Sequence, residues 1–148
     1  MSYPPQRLSF VTIGVNDLEA SKNFYIEKFG WQPIDRESDG ILFFQMNGLI
    51  FALFPVNELA ADAGIVNNGA GFKRFTLAIN CFSEVEVDEI FASFSRNGVE
   101  IVKTPEKAFW GGYSGYARDN DQNLWEFAFN PFIQLDKNGN IAPPSPAG

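Results

Sequence analysis

A strand-like segment occurs twice in this chain, and this duplication constrains the fold more than any other feature of the sequence. The segment Phe10–Asn16 alternates large apolar residues with small or polar ones, and Arg74–Asn80 repeats the pattern 64 residues later. A period of two residues is typical of a half-buried β-strand. Self-similarity at such an offset predicts that two related modules fold from one chain.

A helix signal follows each copy of the strand. After the first copy, Asn16 or Asp17 can cap a helix that Gly30 would end. After the second copy, Ser83 and Glu86 have the spacing of a capping box. Apolar residues recur at helical spacing in both segments, at Leu18, Tyr25 and Phe29 in the first and at Val87, Ile90, Phe91 and Phe94 in the second.

Three short strands are predicted after each helix, so the chain follows the order βαβββ twice and is of the α+β class. The approximate bounds are 31–36, 41–46 and 49–54 in the first half, and 99–103, 114–118 and 123–129 in the second. The dipeptide Asn47-Gly48 predicts a hairpin turn in the first half. The segment Asp119–Gln122 predicts a turn in the second half.

The two modules are expected to form one domain over residues 1–148. It consists of module one at 7–55, a linker at 56–71, module two at 72–131 and a C-terminal tail at 132–148. The run Asn67–Gly71 predicts a flexible linker. Residues 1–6 and 136–148 contain little that could be buried, so we expect extended or poorly ordered ends.

The composition excludes several classes of function. Eleven basic residues against 18 acidic ones give a net charge of −7, which opposes binding to nucleic acid or an anionic membrane. The chain has no bilayer-length apolar run and no signal-peptide pattern, so we expect a cytoplasmic protein. It contains no histidine, which excludes imidazole bases, Ser-His-Asp triads and histidine metal ligands. We expect the single cysteine, Cys81, to be a buried thiol.

Three motifs, taken in order, match a known pattern. They are Val15–Ser21 with the helix residues up to Trp31, the segment Trp110–Tyr116, and the turn and acidic strand Asp119–Glu126. Together they resemble the vicinal oxygen chelate superfamily of glyoxalase I, bleomycin-resistance proteins and extradiol dioxygenases, and the middle motif is similar to a bacterial subgroup of it. The resemblance covers about residues 7–131. It implies that the two modules pair into a curved, open, mixed sheet, a cup, with the helices outside.

The resemblance also implies where a divalent metal would be held in that superfamily. Its four ligand positions correspond to Phe10, Ala52, Arg74 and Glu126. Only Glu126 can donate an oxygen, and the permanent charge of Arg74 would repel a cation. One carboxylate is too few for a transition-metal site. We therefore expect no metal and no other cofactor.

The two-residue period places Thr12, Arg74 and Thr76 on the cup face together with Glu126 of the closing strand. Arg74 and Glu126 are of opposite sign and could form a structural ion pair. Alternatively, Arg74 could bind a ligand carboxylate or phenolate while Glu126 orients it. The residues leave both interpretations open.

Aromatic residues complete the predicted ligand site. Trp110-Gly111-Gly112-Tyr113 is a glycine hinge between large rings, which could close on a planar ligand or could anchor the loop by packing. Core packing is the alternative role for any single phenylalanine. The predicted ligand-binding residues are Arg74, Glu126, Trp110, Tyr113, Tyr116, Phe44, Thr12 and Thr76.

These observations favour a metal-free, small-molecule-binding protein that holds its ligand in an aromatic-lined cup. We expect an apolar or aromatic ligand with an anionic group, and the cup edges are compatible with a homodimer. The alternative is a lyase, isomerase or dioxygenase of the same superfamily that acts on a small oxygenated substrate. A metal-independent enzyme and a purely structural or regulatory module are further alternatives that the sequence leaves open.

Overall fold

The chain folds into two compact units, each built on an open mixed sheet. The structure, a computed structural model, describes residues 6–34, 40–69 and 71–142. The first unit extends to Gly69 and the second follows it. The α+β class and the open mixed sheets confirm the fold predicted from the duplicated sequence pattern.

The second unit has the predicted order βαβββ, whereas the first has two strands after its first helix within the described residues and ends in a further helix. The first unit contains β1 (Phe10–Val15), α1 (Leu18–Asn23), β2 (Leu42–Gln45), β3 (Ile50–Pro55) and α2 (Val56–Ala63), and the second contains β4 (Leu77–Asn80), α3 (Glu84–Arg96), β5 (Glu100–Lys107), β6 (Tyr113–Arg118) and β7 (Leu124–Phe129). The first sheet has the order β1-β3-β2, with β1 parallel to β3, and the second has the order β4-β7-β6-β5, with β4 parallel to β7. Within the described ranges, no helix is both long enough and apolar enough to cross a bilayer.

An aromatic cluster around Tyr25 holds the first unit together. Asp17 caps α1 by accepting a hydrogen bond from the amide of Ala20 at 3.1 Å, and a π-helical segment, Phe24–Lys28, extends the helix. The Tyr25 side chain is completely buried. Its ring centroid lies 5.2 to 5.9 Å from those of Phe29, Trp31, Phe44 and Phe51. Rings from the helix and from two strands therefore fix the helix on the sheet.

The second unit is held by the apolar stripe of α3. Its capping box forms: Ser83 accepts from the amide of Glu86 at 3.1 Å, and the Glu86 carboxylate accepts from the amide of Phe82 at 2.7 Å. Phe91 and Phe94 are buried, with ring centroids 5.9 and 5.2 Å from that of Phe127 on β7. The burial of these rings supplies the main apolar contact between α3 and the sheet.

Because α3 covers one side of this sheet, the strands have two different faces. The helix face carries Tyr113, Gly115 and Ala117 of β6, paired with Phe129, Phe127 and Trp125 of β7. The opposite side, here called the open face, carries Ala78, Ser114, Tyr116, Arg118, Leu124, Glu126 and Ala128, together with the β5 residues that pair with them. In the described part of this unit, α3 is the only helix, and it packs on the helix face.

The turn between β6 and β7 forms as predicted and is ordered by one carboxylate. Asp119 accepts hydrogen bonds from the amides of Asp121 and Asn123 at 2.8 and 2.9 Å, and from the Asn123 side chain at 2.7 Å. The Lys73 ammonium donates to the Asp121 carbonyl and to the Asn123 side chain, both at 3.0 Å. This contact fixes the segment before β4 to the turn, and no local pattern at Lys73 predicts it.

The prediction of a flexible linker over residues 56–71 is wrong for its first half. Residues Val56–Ala63 form α2, which ends at Gly64 in the left-handed conformation with φ 75°. Val56 packs on β1, where a Cβ added to Gly14 would lie 2.9 Å from its Cγ2 atom. The alanine-rich composition of this segment favours a helix, and that preference outweighs the loop signal of the residues that follow.

One predicted strand is absent over its described residues, and another begins later than expected. Residues 31–34 form no strand, although the amide of Ile34 donates to the Phe43 carbonyl at 2.9 Å; residues 35 and 36 lie outside the described part. The strand predicted from Arg74 begins only at Leu77, because Arg74 has a left-handed backbone with φ 64°. A residue with this conformation cannot continue the alternation of a strand.

The C-terminal region is more ordered than predicted. Leu135 and Ile141 form a β-bridge, and Asp136 between them accepts from the amides of Asn138 and Asn140 at 2.9 and 3.0 Å. These hydrogen bonds lower the pKa of Asp136. Residues 1–5 and 143–148, where extended ends were also predicted, lie outside the described part of the chain.

Gly115→Ala should destabilise the second unit, because a Cβ at this position would lie 2.7 Å from Cζ of Phe91 and 2.8 Å from the carbonyl oxygen of Lys103. We expect a loss of about 1–3 kcal/mol in the free energy of unfolding, measured by urea denaturation. Gly69→Ala is the matched control, because nothing lies within 4 Å of the Cβ it adds. Equal stability of the two variants would contradict this description of the helix face.

Tyr113→Phe should destabilise the protein in a pH-dependent way. The Tyr113 hydroxyl donates to Asp88 on α3, and this hydrogen bond raises the pKa of Tyr113 from 10.0 to about 12. Its stabilising contribution is therefore complete below pH 10 and is lost as the pH rises through 12. At pH 8 we expect the free energy of unfolding, measured by urea denaturation, to be about 0.5 kcal/mol higher in the wild type than in the variant. The difference is small because the pair is exposed. An advantage that grows above pH 10 would contradict the assignment.

Candidate functional site

A row of polar side chains crosses the open face of the second sheet. Glu126 on β7 pairs with Tyr116 on β6 on one side and with Ala78 on β4 on the other. Tyr116 in turn pairs with Lys103 on β5. We call Glu126, Tyr116 and Lys103 the polar row. Register pairs that face the same way place side chains close enough to interact across a sheet.

The electrostatics of the polar row centre on Tyr116. Burial raises the pKa of Tyr116, and the charge of the neighbouring Glu126 carboxylate raises it further. The phenol is therefore neutral near pH 7. Glu126 is half-buried, and in the described ranges no lysine or arginine lies within ion-pair distance of its carboxylate. The carboxylate thus keeps acceptor capacity for a donor group of a ligand.

The cations of the open face are paired with surface acids. Lys103 Nζ lies 2.9 Å from Glu106 Oε1, and this hydrogen bond raises the pKa of Lys103. Arg118 lies 3.3 Å from Glu100 in the same way. Exposed ion pairs of this kind contribute little to stability, so a ligand anion could replace the acidic partner at little cost.

The glycine-rich loop Ala108–Gly112 closes the hairpin between β5 and β6. The Ala108 amide donates to the Gly112 carbonyl at 2.8 Å, which extends the pairing by one residue on each strand. The Trp110 ring covers Gly112 so closely that any Cβ there would overlap it. Gly112 is two residues before Ser114, so a Cβ on Gly112 would point to the open face. The Trp110 ring, which occupies that space, therefore lies on the side of the open face. Its side chain is 44% exposed, which leaves ring surface available for stacking.

The structure brings together only part of the predicted ligand site. Tyr116, Glu126 and Trp110 share the side of the open face. Tyr113 lies on the helix face, where its hydroxyl is bonded to Asp88. The strand period that was expected to separate core from cup therefore also separates the two tyrosines.

Arg74 and Glu126 do not form the expected ion pair in the described part of the chain. Arg74 is exposed and precedes β4, and Thr76 is exposed two residues later. The register of β4 and β7 pairs Ala78, not Arg74, with Glu126, and the left-handed backbone at Arg74 takes this residue out of the strand.

The two predicted site residues of the first unit have different environments. Phe44 is 1% exposed and belongs to the aromatic cluster around Tyr25. Thr12 is exposed on β1, where it pairs with Ala52 on the side opposite Phe44. Phe44 therefore packs in the core, which is the alternative role that the sequence offered for any single phenylalanine.

The single cysteine has the structural role predicted for it. Cys81 follows β4 and is 3% exposed. Burial raises the pKa of its thiol to about 11, and the charge of Glu86 adds to this effect. A thiol that stays protonated at neutral pH is a poor nucleophile.

Comparison with known proteins identifies the family. A family model described as Glyoxalase/Bleomycin resistance protein/Dioxygenase superfamily matches residues 7–127. The chain belongs to this superfamily. A glyoxalase-related enzyme from Fulvimarina pelagi is 34% identical, with a TM-score of 0.81 over 93% of this chain and 98% of that one.

More distant members share the fold alone. A glyoxalase/bleomycin resistance protein/dioxygenase from Nocardioides is 22% identical, with a TM-score of 0.76 over 91% of this chain and 93% of that one. A lactoylglutathione lyase from Agrobacterium tumefaciens is 23% identical, with a TM-score of 0.68 over 86% of this chain and 96% of that one. A comparison with curated protein sequences found no match to the chain.

The side chains at the four implied metal positions do not fit a divalent cation. Phe10 on β1 and Ala52 on β3 have no donor atoms, and Arg74 is a permanent cation outside β4. Glu126 is the one oxygen donor among the four. In the described residues, no three His, Cys, Asp or Glu side chains are grouped to hold a metal ion. The side chains at these four positions therefore do not supply a donor set for a transition metal.

Glu126→Gln should lower the pKa of Tyr116, because the variant removes the carboxylate charge that favours the neutral phenol. The shift should be partial, since burial, the largest single cause of the raised pKa, remains in the variant. NMR titration of ring-labelled tyrosine, with Tyr116→Phe to assign the signal, measures it. Glu100→Gln is the control, because this acid pairs with Arg118. An unchanged pKa in the Glu126 variant would contradict the polar row.

Proposed function

We propose that this superfamily member binds a small organic ligand on the open face of its second unit and does so without a metal. The observation that carries the proposal is the polar row, because its half-buried Glu126 and neutral Tyr116 lie on a sheet face that α3 does not cover. Polar groups that converge beside exposed aromatic surface are typical of ligand sites.

Each group has a distinct part in the proposed complex. The Glu126 carboxylate accepts a hydrogen bond from a hydroxyl or amide of the ligand. Tyr116, which pairs with Glu126 across the sheet, offers a neutral hydroxyl and a ring edge beside that carboxylate. Trp110, at the hairpin end of the same face, provides a surface on which a planar ligand can stack. The proposed ligand is therefore planar and carries a hydrogen-bond donor.

Titration of the ¹⁵N-labelled protein with phenol, benzamide and indole tests the binding proposal. We expect amide shift changes that concentrate at Ala78, Ser114, Tyr116 and Glu126, and weaker binding in Glu126→Ala than in the control Glu100→Gln. A ligand at 100 times its Kd should also stabilise the fold by about 2.7 kcal/mol. Shift changes confined to other surfaces, or none at all, would refute the site.

Elemental analysis of the purified protein tests the metal-free part of the proposal separately. We expect well below one equivalent of metal per chain, with the same content in wild type and Glu126→Ala. The reason is that only one of the four implied ligand positions carries a donor atom. A stoichiometric metal that the substitution removes would overturn this part.

A second candidate is a lyase, isomerase or dioxygenase that acts on a small oxygenated substrate. The observation in its favour is the 34% identity to a protein described as a glyoxalase-related enzyme. A stoichiometric metal in the elemental analysis would favour this candidate over metal-free binding. The missing donors at Phe10 and Ala52 are the observation against it.

A further inference from the structure

Strand β5 contains two irregularities that flank Lys103. Ile101 pairs with Ala117, but the next residue of β6, Tyr116, pairs with Lys103, so Val102 is an extra residue on β5. The pairing shifts again between Lys103 and Glu106. Pro105 lies in this second interval and has no amide to donate to β6. The strand is thus bulged on both sides of Lys103.

The first bulge decides which side chain faces Tyr116. A regular register continuing from the Ile101 pair would place the apolar Val102 opposite Tyr116. The bulge instead places Lys103 there and leaves Val102 exposed. Bulges are common beside functional sites because they re-aim a side chain. In this protein the re-aimed side chain carries the positive charge that completes the polar row.

The position of Lys103 agrees with its electrostatic surroundings. Its pKa is raised mainly by Glu106, with further contributions from Tyr116 and Glu126. The side chain is 55% exposed and the Glu106 pair is local, so its ammonium can take a new partner. The other cation of this face, Arg118, is held by Glu100 at the far end of β6.

The geometry points to Lys103 as the residue that binds an anionic group, a carboxylate or phenolate, of the ligand on the open face. This inference rests on the proposed function and assigns the ligand a negative charge. It replaces the sequence-based expectation for Arg74, which lies outside the strand. The competing explanation is that Lys103 only protects β5, an edge strand, from pairing with other chains.

Three probes of similar shape and different charge test the inference: benzoate, benzamide and benzylammonium, each used as its 4-hydroxy derivative so that all three carry a donor for Glu126. NMR titrations should give a benzoate Kd about three- to fivefold lower than that of benzamide, as one exposed charge pair provides. Lys103→Gln should remove this preference and leave the benzamide Kd unchanged. Lys103→Arg should retain it.

Lys107→Gln is the matched control, because Lys107 is on the same strand, pairs with Tyr113 of the helix face and contacts Glu84 at 3.6 Å. It should leave the benzoate preference intact. The inference fails if benzamide binds but benzoate does not bind more tightly, or if Lys103→Gln still binds benzoate more tightly than benzamide. Lys103 then only protects the edge strand β5. If none of the three probes binds, the proposed function fails and this inference fails with it.

Discussion

The packing of α3 against one face of the second sheet determines which side chains are available to a ligand. Once Phe91 and Phe94 cover Phe127, the two-residue period of the strands assigns every other residue of β6 and β7 to the core. Tyr113 is directed to the helix, whereas Tyr116 and Glu126 share the opposite side. The chemistry of the open face thus follows from an apolar contact on the other side of the sheet.

Most of the fold could be predicted from the sequence because its signals are local and repeated. The first copy of the duplicated strand, the capping box at Ser83 and the turn at Asp119 each form as the residue pattern predicts. The failures have equally local causes. Loop residues near Asn67 masked the helix propensity of Val56–Ala63, and no pattern signals the left-handed backbone at Arg74.

The candidate site was less predictable, because it depends on register. The two-residue period predicted a cup-facing Glu126, but it could not place Lys103, since the bulge at Val102 reverses parity along β5. Pro105 was the available signal, as proline inside a strand often marks a bulge or an edge. The pairing between strands, which the sequence of a single strand does not specify, determines which side chains become neighbours on the open face.

The placement of Trp110 gives the molecule a built-in optical reporter. Of its three tryptophans, Trp125 is in the core of the second unit and Trp31 is stacked on Tyr25 in the first. Trp110 is the most exposed of the three, and it stands at the end of the open face. Intrinsic emission at long wavelength therefore reports mainly on this loop, and a quencher in the solvent should reduce its signal more than those of the half-buried Trp31 and the buried Trp125.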